Sequence, residues 1–234
     1  MKLIKRILIP CLLLINLNVI AEEYPIKLEK PVINTHDVKS IQRGAKTFAS
    51  TCLVCHSMDY LAHDRIAKAA GITPNKMPDK NQKWWFGAAP PDLTLVAKVR
   101  GARWLYTYLH VFYKDPKQTT GFNNLLLDNS NMPNPFVGMQ GEQQLIAKKT
   151  DLFSDASVFT RKLPYYSVLT LSKAGSMPPD EFDAMIKDLV NFLVYASEPK
   201  KYTRERLGVW VLLFLGVLFI LVYLLKRSYW KQLK

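Results

Sequence analysis

The stretch Cys52-Leu53-Val54-Cys55-His56 decides how the rest of the chain is read. Two thiols separated by two residues and followed at once by an imidazole form the C-x-x-C-H pattern of c-type haem attachment. The spacing has a chemical purpose. Each thiol forms a thioether with one vinyl group of a single porphyrin, and the adjacent His56 is then held beneath the iron as an axial ligand. A covalent tether also retains the group in a small domain with little core to grip it. A C-x-x-C pair has other uses, as a disulfide or a redox dithiol. A thioredoxin-like site wants a strand before it, whereas Val38, Ile41, Ala45 and Phe48 precede this motif at helical spacing. A structural zinc site needs four ligands, and Cys11 is the only other cysteine.

The two ends of the chain explain much of its charge. The formal net charge is +13 over 234 residues. Lys2, Lys5 and Arg6 open the chain, Lys226, Arg227, Lys231 and Lys234 close it, and neither end carries an acidic residue. Between them the balance is only mildly basic, and the bases form no aromatic-interleaved stripe, so no nucleic-acid partner is expected. Residues 1–21 read as a secretory signal: a charged start, an apolar run from Ile7 to Ile15 and a small residue, Ala21, at the cleavage point. The run is short for a spanning helix, which disfavours an uncleaved anchor. Cys11 lies inside this segment and is lost with it.

Residues 207–225 carry no charge at all and are long enough, as a helix, to cross a lipid bilayer. Trp210 at one end and Tyr223, Tyr229 and Trp230 at the other suit the two interfaces. The expected organisation is therefore a signal peptide over 1–21, a periplasmic haem domain over 22–206, a transmembrane helix over 207–225 and a cytoplasmic basic tail over 226–234. The chain would sit in the cell's inner membrane as a single-pass protein.

An iron centre that only moves electrons wants both axial positions filled, and a thioether sulfur opposite His56 would favour the reduced iron. Met58 is too close to His56 to reach the far face. Met185 has core spacing with Phe182, Ile186 and Leu189, and Met77 lies in a Pro- and Lys-rich loop. Met132, Met139 and Met177 remain. Met132 precedes Pro133-Asn134-Pro135 and Met177 precedes Pro178-Pro179, so each has a rigid neighbour. His63 reads as a surface or pocket-rim residue. His110, Tyr113 and Asp115 are near in sequence but make no nucleophile arrangement, so an electron carrier is expected in place of a substrate-transforming site.

Further motifs give the chain a family likeness. They are Gln42-Arg43-Gly44-Ala45, the Cys52–His56 motif, Trp85-Phe86-Gly87-Ala88-Ala89-Pro90-Pro91-Asp92-Leu93 and the aromatic run from Trp104 to Tyr113 with Asp115-Pro116. Gly121-Phe122-Asn123-Asn124, Asn131-Met132-Pro133, Asp188-Leu189-Val190-Asn191-Phe192-Leu193 and Glu198-Pro199 follow, before the anchor and basic tail. On these the chain resembles the cytochrome c1 family, the haem subunits of ubiquinol–cytochrome c reductase, over nearly its whole mature length. The C-x-x-C-H motif is common to all c-type cytochromes; the Ala-Pro-Pro-Asp-Leu block with a C-terminal anchor is far more specific.

The resemblance implies one covalent haem c with His56 and Met132 as its iron ligands, since bacterial members carry the ligand Met in a Met-Pro segment between an Asn-Asn stretch and a Gln-Gly, here Gln140-Gly141. Met177 and Met139 stay as alternatives. It implies Arg100 as a propionate partner, Tyr106 as a haem-pocket residue, and Pro90 and Pro91 as shapers of the loop over the haem edge. Mitochondrial members carry Asn just ahead of that loop, where this chain has Trp85 and Phe86. The implied partners are cytochrome b, a Rieske iron–sulfur protein as donor, a c-type cytochrome as acceptor, and the bilayer. The rivals are a free-standing anchored carrier, an exported thiol oxidoreductase and a haem sensor with an open sixth position.

The fold class expected is mainly α: a c-type cytochrome domain with long loops around one haem, plus one C-terminal transmembrane helix. Helices are expected over 38–50, over most of 93–113 with Gly101 as a weak point, and over 180–197. Residues 71–84 and 114–144 read as loops.

Overall fold

The computed structural model describes residues 24–61, 63–76, 78, 89–146 and 163–231. The expected signal segment, Met77 and Trp85-Phe86 lie outside the described residues.

The first helix, α1 (Val38–Thr47), starts where Asp37 Oδ1 accepts the Ser40 amide at 3.0 Å, relieving one unpaired N–H of the first turn. It does not stop at Thr47. One wider, π-helical turn over Phe48–Cys52 extends it and delivers Cys52. The amides of Cys55 and His56 then both turn back to the Cys52 carbonyl, at 3.0 and 2.8 Å. The haem motif is thus wound onto the end of a helix, as the apolar spacing before it predicts.

Two short helices follow, α2 (Arg65–Ala69) and α3 (Val96–Val99), then α4 (Ala102–His110). The expectation of one mainly helical stretch over 93–113 is corrected here. Gly101 has φ +83°, in the left-handed region that a glycine enters without steric cost, and it breaks the stretch in two. The helix then ends at His110, and the chain leaves as strand β1 (Phe112–Lys114). β1 pairs antiparallel with β2 (Phe122–Asn124), with Phe112 opposite Asn124. A one-turn helix, α5 (Val137–Gln140), leads into β3 (Gly141–Leu145), which pairs antiparallel with β4 (Leu169–Ala174). The segment 114–144, read as loop, therefore holds parts of two small sheets.

The long helix α6 (Pro179–Ser197) closes the domain. Pro179 sits where its missing N–H costs nothing, and Asp180 and Glu181 face the positive end of the helix dipole. α6 crosses α1 at Gly44, where a Cβ would stand 2.0 Å from the Asp188 carbonyl oxygen and 2.8 Å from Phe192 Cβ. Only a residue without a side chain permits this approach. Polar groups, with Ser40, Asp188 and Asn191 buried and Arg43 reaching in from the surface, lock the crossing. Ser40 Oγ donates to Asp188 Oδ1 at 2.6 Å, Arg43 donates through Nε and Nη2 to the same carboxylate, and Asn191 Nδ2 donates to Ser40 Oγ at 2.9 Å. Phe48 and Phe192 meet beneath it with ring centres 5.7 Å apart. The main core gathers these with Ile41, Leu61, Leu105, Leu109, Phe136, Phe182, Ile186 and Leu189.

After Pro199 one continuous helix, α7, runs from Lys201 to Lys231. Among the described residues it is the one helix long and apolar enough to cross a membrane. Its apolar side chains are exposed all round, Trp210 at 65% and Phe219 at 71%, as a lipid-facing helix requires. The helix extends beyond the uncharged stretch 207–225 at both ends. Its start is tied to the domain by Glu198, which takes Lys98 Nζ at 2.8 Å and Arg204 Nη2 at 2.9 Å, and by His36, whose ring meets Tyr202 edge-on at 5.3 Å.

Candidate haem site

Cys52 and Cys55 are free thiols, both partly exposed. Burial, with the neighbouring Cys55, pushes the Cys52 thiol up to about 12. Cys52 is therefore present as a neutral thiol.

His56 is buried, at 8% exposure. Its Nδ1 lies 2.8 Å from the Pro91 carbonyl oxygen. A carbonyl can only accept, so Nδ1 carries the proton and the Nε2 lone pair is left to a metal. Burial pulls the imidazole's pKa down, against the opposing pull of Pro91 and Asp92, which favours the neutral, ligating form.

Asp92 holds the Pro91 carbonyl in place. Its Oδ2 accepts Ser57 Oγ at 2.9 Å and the Asp59 amide at 2.8 Å, while Oδ1 accepts the Thr94 amide at 2.9 Å. The Leu93 amide donates to the Ser57 carbonyl at 3.0 Å. One carboxylate thus staples the 89–94 segment to the residues just after the haem motif. Burial alone would raise the Asp92 pKa; the hydrogen bonds from Thr94, Asp59 and Ser57 outweigh it and hold the carboxyl below its usual range.

A second wall comes from α4. Trp104 and Tyr108, four residues apart, share one face of this helix, and Arg100 reaches the same side from just before the Gly101 break. The Arg100 guanidinium lies 5.1 Å from the Trp104 ring centre, and Trp104 stacks on Tyr108 at 4.6 Å with planes 12° apart. The Tyr108 hydroxyl is 3.5 Å from Met132 Sδ and 3.2 Å from Ser130 Oγ. Trp104 Nε1–H is buried with no acceptor among the described residues. A donor left unpaired beside a guanidinium is what a carboxylate-bearing group such as a haem propionate would satisfy.

The half-buried Met132 is anchored from two sides. Ser130 Oγ accepts its amide at 3.3 Å, and the preceding loop is organised by two fully buried asparagines. Asn123 Oδ1 accepts the amides of Asn124 and Asn129 at 2.8 and 3.0 Å, while its Nδ2 donates to Asp115 and Asp128. Asn124 Nδ2 donates to the Tyr108 carbonyl at 2.9 Å, tying this loop to the end of α4. Met139 and Met177 lie together at another junction, where the Met177 amide donates to the Met139 carbonyl at 3.1 Å. Met58 is fully buried in the core, and His63 is exposed.

The structure brings together several residues singled out in the sequence. Pro91 meets His56 through its carbonyl, with half-buried Pro90 preceding it, and Arg100 joins Met132 through Trp104 and Tyr108. Tyr106 lies on the opposite face of α4 from Tyr108. Its ring is 4.3 Å from His110, whose Nε2 is 2.9 Å from Asp183 Oδ1. Burial, with Asp183 and Glu29 nearby, pushes the Tyr106 hydroxyl up to about 12. Sequence reasoning gave no role to Asp92, Trp104, Tyr108 or Ser130. The i, i+4 aromatic pair was the available signal for Trp104 and Tyr108.

Comparison with known proteins gives the chain its family. The model of the Cytochrome C1 family matches residues 28–84 and 175–233. Cytochrome c1 of Allochromatium vinosum is 39% identical over 224 residues, covering 88% of this chain and 89% of that protein. The chain belongs to the cytochrome c1 family. Another relative, named ammonia monooxygenase gamma subunit, from Nitrosomonas europaea, is 36% identical over 89% of both chains. Cytochrome c1 of Rhodospirillum rubrum is 26% identical over 88% of this chain and 86% of its own length. Family membership makes the protein a haem c electron carrier, and the residues present fit that group: two free thiols, an oriented imidazole, and an unpaired buried donor beside a guanidinium. The family model leaves 85–174 unmatched, and Met132 falls in that part.

Proposed function

We propose that this member of the cytochrome c1 family takes electrons from a Rieske iron–sulfur protein and passes them to a c-type cytochrome during ubiquinol oxidation. The observation that carries the reading is the His56–Pro91 hydrogen bond directly after a C-x-x-C pair, which leaves one imidazole nitrogen poised for iron. When bound, haem c supplies a one-electron ferric/ferrous couple; the protein supplies ligands, a pocket and orientation. Cys52 and Cys55 tether the porphyrin. His56 and Met132 would supply the iron's two protein ligands, an imidazole and thioether pairing that favours the reduced state. Arg100 and Trp104 Nε1 would donate to a propionate, which would keep its negative charge beside donors.

Residues 1–21 direct export and are removed, residues 22–206 form the haem domain on the periplasmic side, and 207–225 span the inner membrane. The tail from 226 stays inside, favoured by Lys226, Arg227 and Lys231 directly after the apolar stretch. The lone spanning helix docks beside cytochrome b, whose own haems and quinol site do the quinol chemistry.

A redox difference spectrum of the protein purified from its own membranes in mild detergent tests this function. Haem c accompanied by haem b is the expected result. Haem c alone, under conditions that keep complexes intact, would put a free-standing anchored carrier in its place.

A further inference from the structure

Tyr108 is held more tightly than core packing requires. One side of its ring stacks on Trp104, and the ring of Phe112 meets it edge-on at 5.1 Å with planes 71° apart. Its backbone carbonyl is taken by Asn124 Nδ2. With the ring fixed on two sides, the position of the hydroxyl is fixed as well. That hydroxyl has one proton, and its neighbours are Ser130 Oγ at 3.2 Å and Met132 Sδ at 3.5 Å.

The protons can be assigned by inventory. A thioether sulfur accepts and never donates, so the Tyr108–Met132 contact uses the phenolic proton. Ser130 Oγ already accepts the Met132 amide at 3.3 Å. Its own proton is then free to go to the Tyr108 oxygen. The result is a closed ring of three hydrogen bonds, from the Met132 amide to Ser130, from Ser130 to Tyr108, and from Tyr108 to the Met132 sulfur. It begins and ends on one residue and runs in one sense, so each bond polarises the next.

We propose that Tyr108 and Ser130 are positioning residues that hold the Met132 sulfur and set the reduction potential of the haem. This rests on the reading of Met132 as the sixth ligand. A sulfur lone pair engaged by an O–H donates less electron density to iron. The loss weakens the ferric state more than the ferrous one, because the ferric ion depends more on that donation. The hydrogen bond therefore raises the potential. It also fixes the second sulfur lone pair in direction, because the sulfur is pinned against its own backbone.

The test is an equilibrium redox titration of the full-length membrane-bound holoprotein, read together with the weak far-red sulfur-to-iron charge-transfer band. Tyr108→Phe keeps the ring stack and removes the donor. It should shift the reduction equilibrium about threefold towards the oxidised form, about 28 mV for a one-electron couple, with the band retained. Ser130→Ala should shift it the same way by less, since Tyr108 keeps its proton. Replacing Tyr108 with 3-fluorotyrosine preserves shape and strengthens the donor, so the potential should rise. An unchanged potential in Tyr108→Phe, or a fall with fluorotyrosine, overturns the proposal. Met132→Leu separates the two ideas. Loss of the band there with an unmoved potential in Tyr108→Phe defeats the tuning role alone, whereas survival of the band removes the ligand assignment and the proposal with it.

Discussion

Gly44 of α1 lies against the backbone of Asp188 in α6 so closely that a Cβ at position 44 would stand 2.0 Å from the Asp188 carbonyl oxygen. This contact sets the crossing of the two helices that frame the haem motif, because the π-helical turn carrying Cys52 continues directly from α1. The obstructing atom is backbone, so no side-chain rotation relieves it. Gly44→Ala should destabilise the domain by about 3 kcal/mol, at the upper end of what overpacking costs. The denaturant midpoint of the purified protein measures this, and a loss under about 1 kcal/mol would show that the crossing can open without penalty.

Asp92 gives the site a pH dependence with a definite sign. Its carboxyl is held below the usual range by hydrogen bonds that outweigh its burial. A group whose native pKa is depressed stabilises the fold above its unfolded value, and that contribution is lost as pH falls through the native value. The unfolded value lies near about 4. Thermal unfolding should therefore show the holoprotein losing stability below about pH 4, with a flatter acid limb for Asp92→Asn. Asp92→Asn should also be less stable at neutral pH, because the Asp59 or Ser57 donor then faces an amide in place of a second oxygen. Identical acid limbs would count against the staple.

Met132 and Met177 separate the two ligand assignments. Met132→Leu should lower the midpoint potential and let the reduced haem bind carbon monoxide. Met177→Leu should do neither and cost under about 1.5 kcal/mol as a near-isosteric core change. Carbon monoxide difference spectra read the outcome, and the reverse pattern would move the ligand to Met177.

The parts legible in the sequence are those written locally. The C-x-x-C-H motif, the apolar spacing into it, the acidic start of α6 and the uncharged stretch inside α7 each announce themselves within a few turns of chain. Gly101 marked a weak point in a helical pattern but not its consequence, a full break with φ +83°. The β3–β4 pair was illegible because the partners are remote and β3 is largely polar. β3 offers Glu142, Gln143 and Gln144, which pair with β4 residues 26 to 31 positions later. The Pro91 carbonyl left no trace either, since a backbone oxygen has no residue type to betray it. Tyr108 and Met132 lie 24 residues apart and meet only through the turn that Asn123 and Asn124 organise.

The central claim is that Cys52, Cys55 and His56 hold a covalent haem. Mass spectrometry of proteolytic peptides from the membrane-isolated protein tests it most directly. The account predicts that the peptide containing Cys52–His56 carries the mass of one haem with both cysteines blocked to alkylation, and that His56→Ala abolishes the low-spin spectrum. A peptide without haem, with its cysteines free or joined as a disulfide, would contradict it and make Cys52 and Cys55 a thiol redox pair.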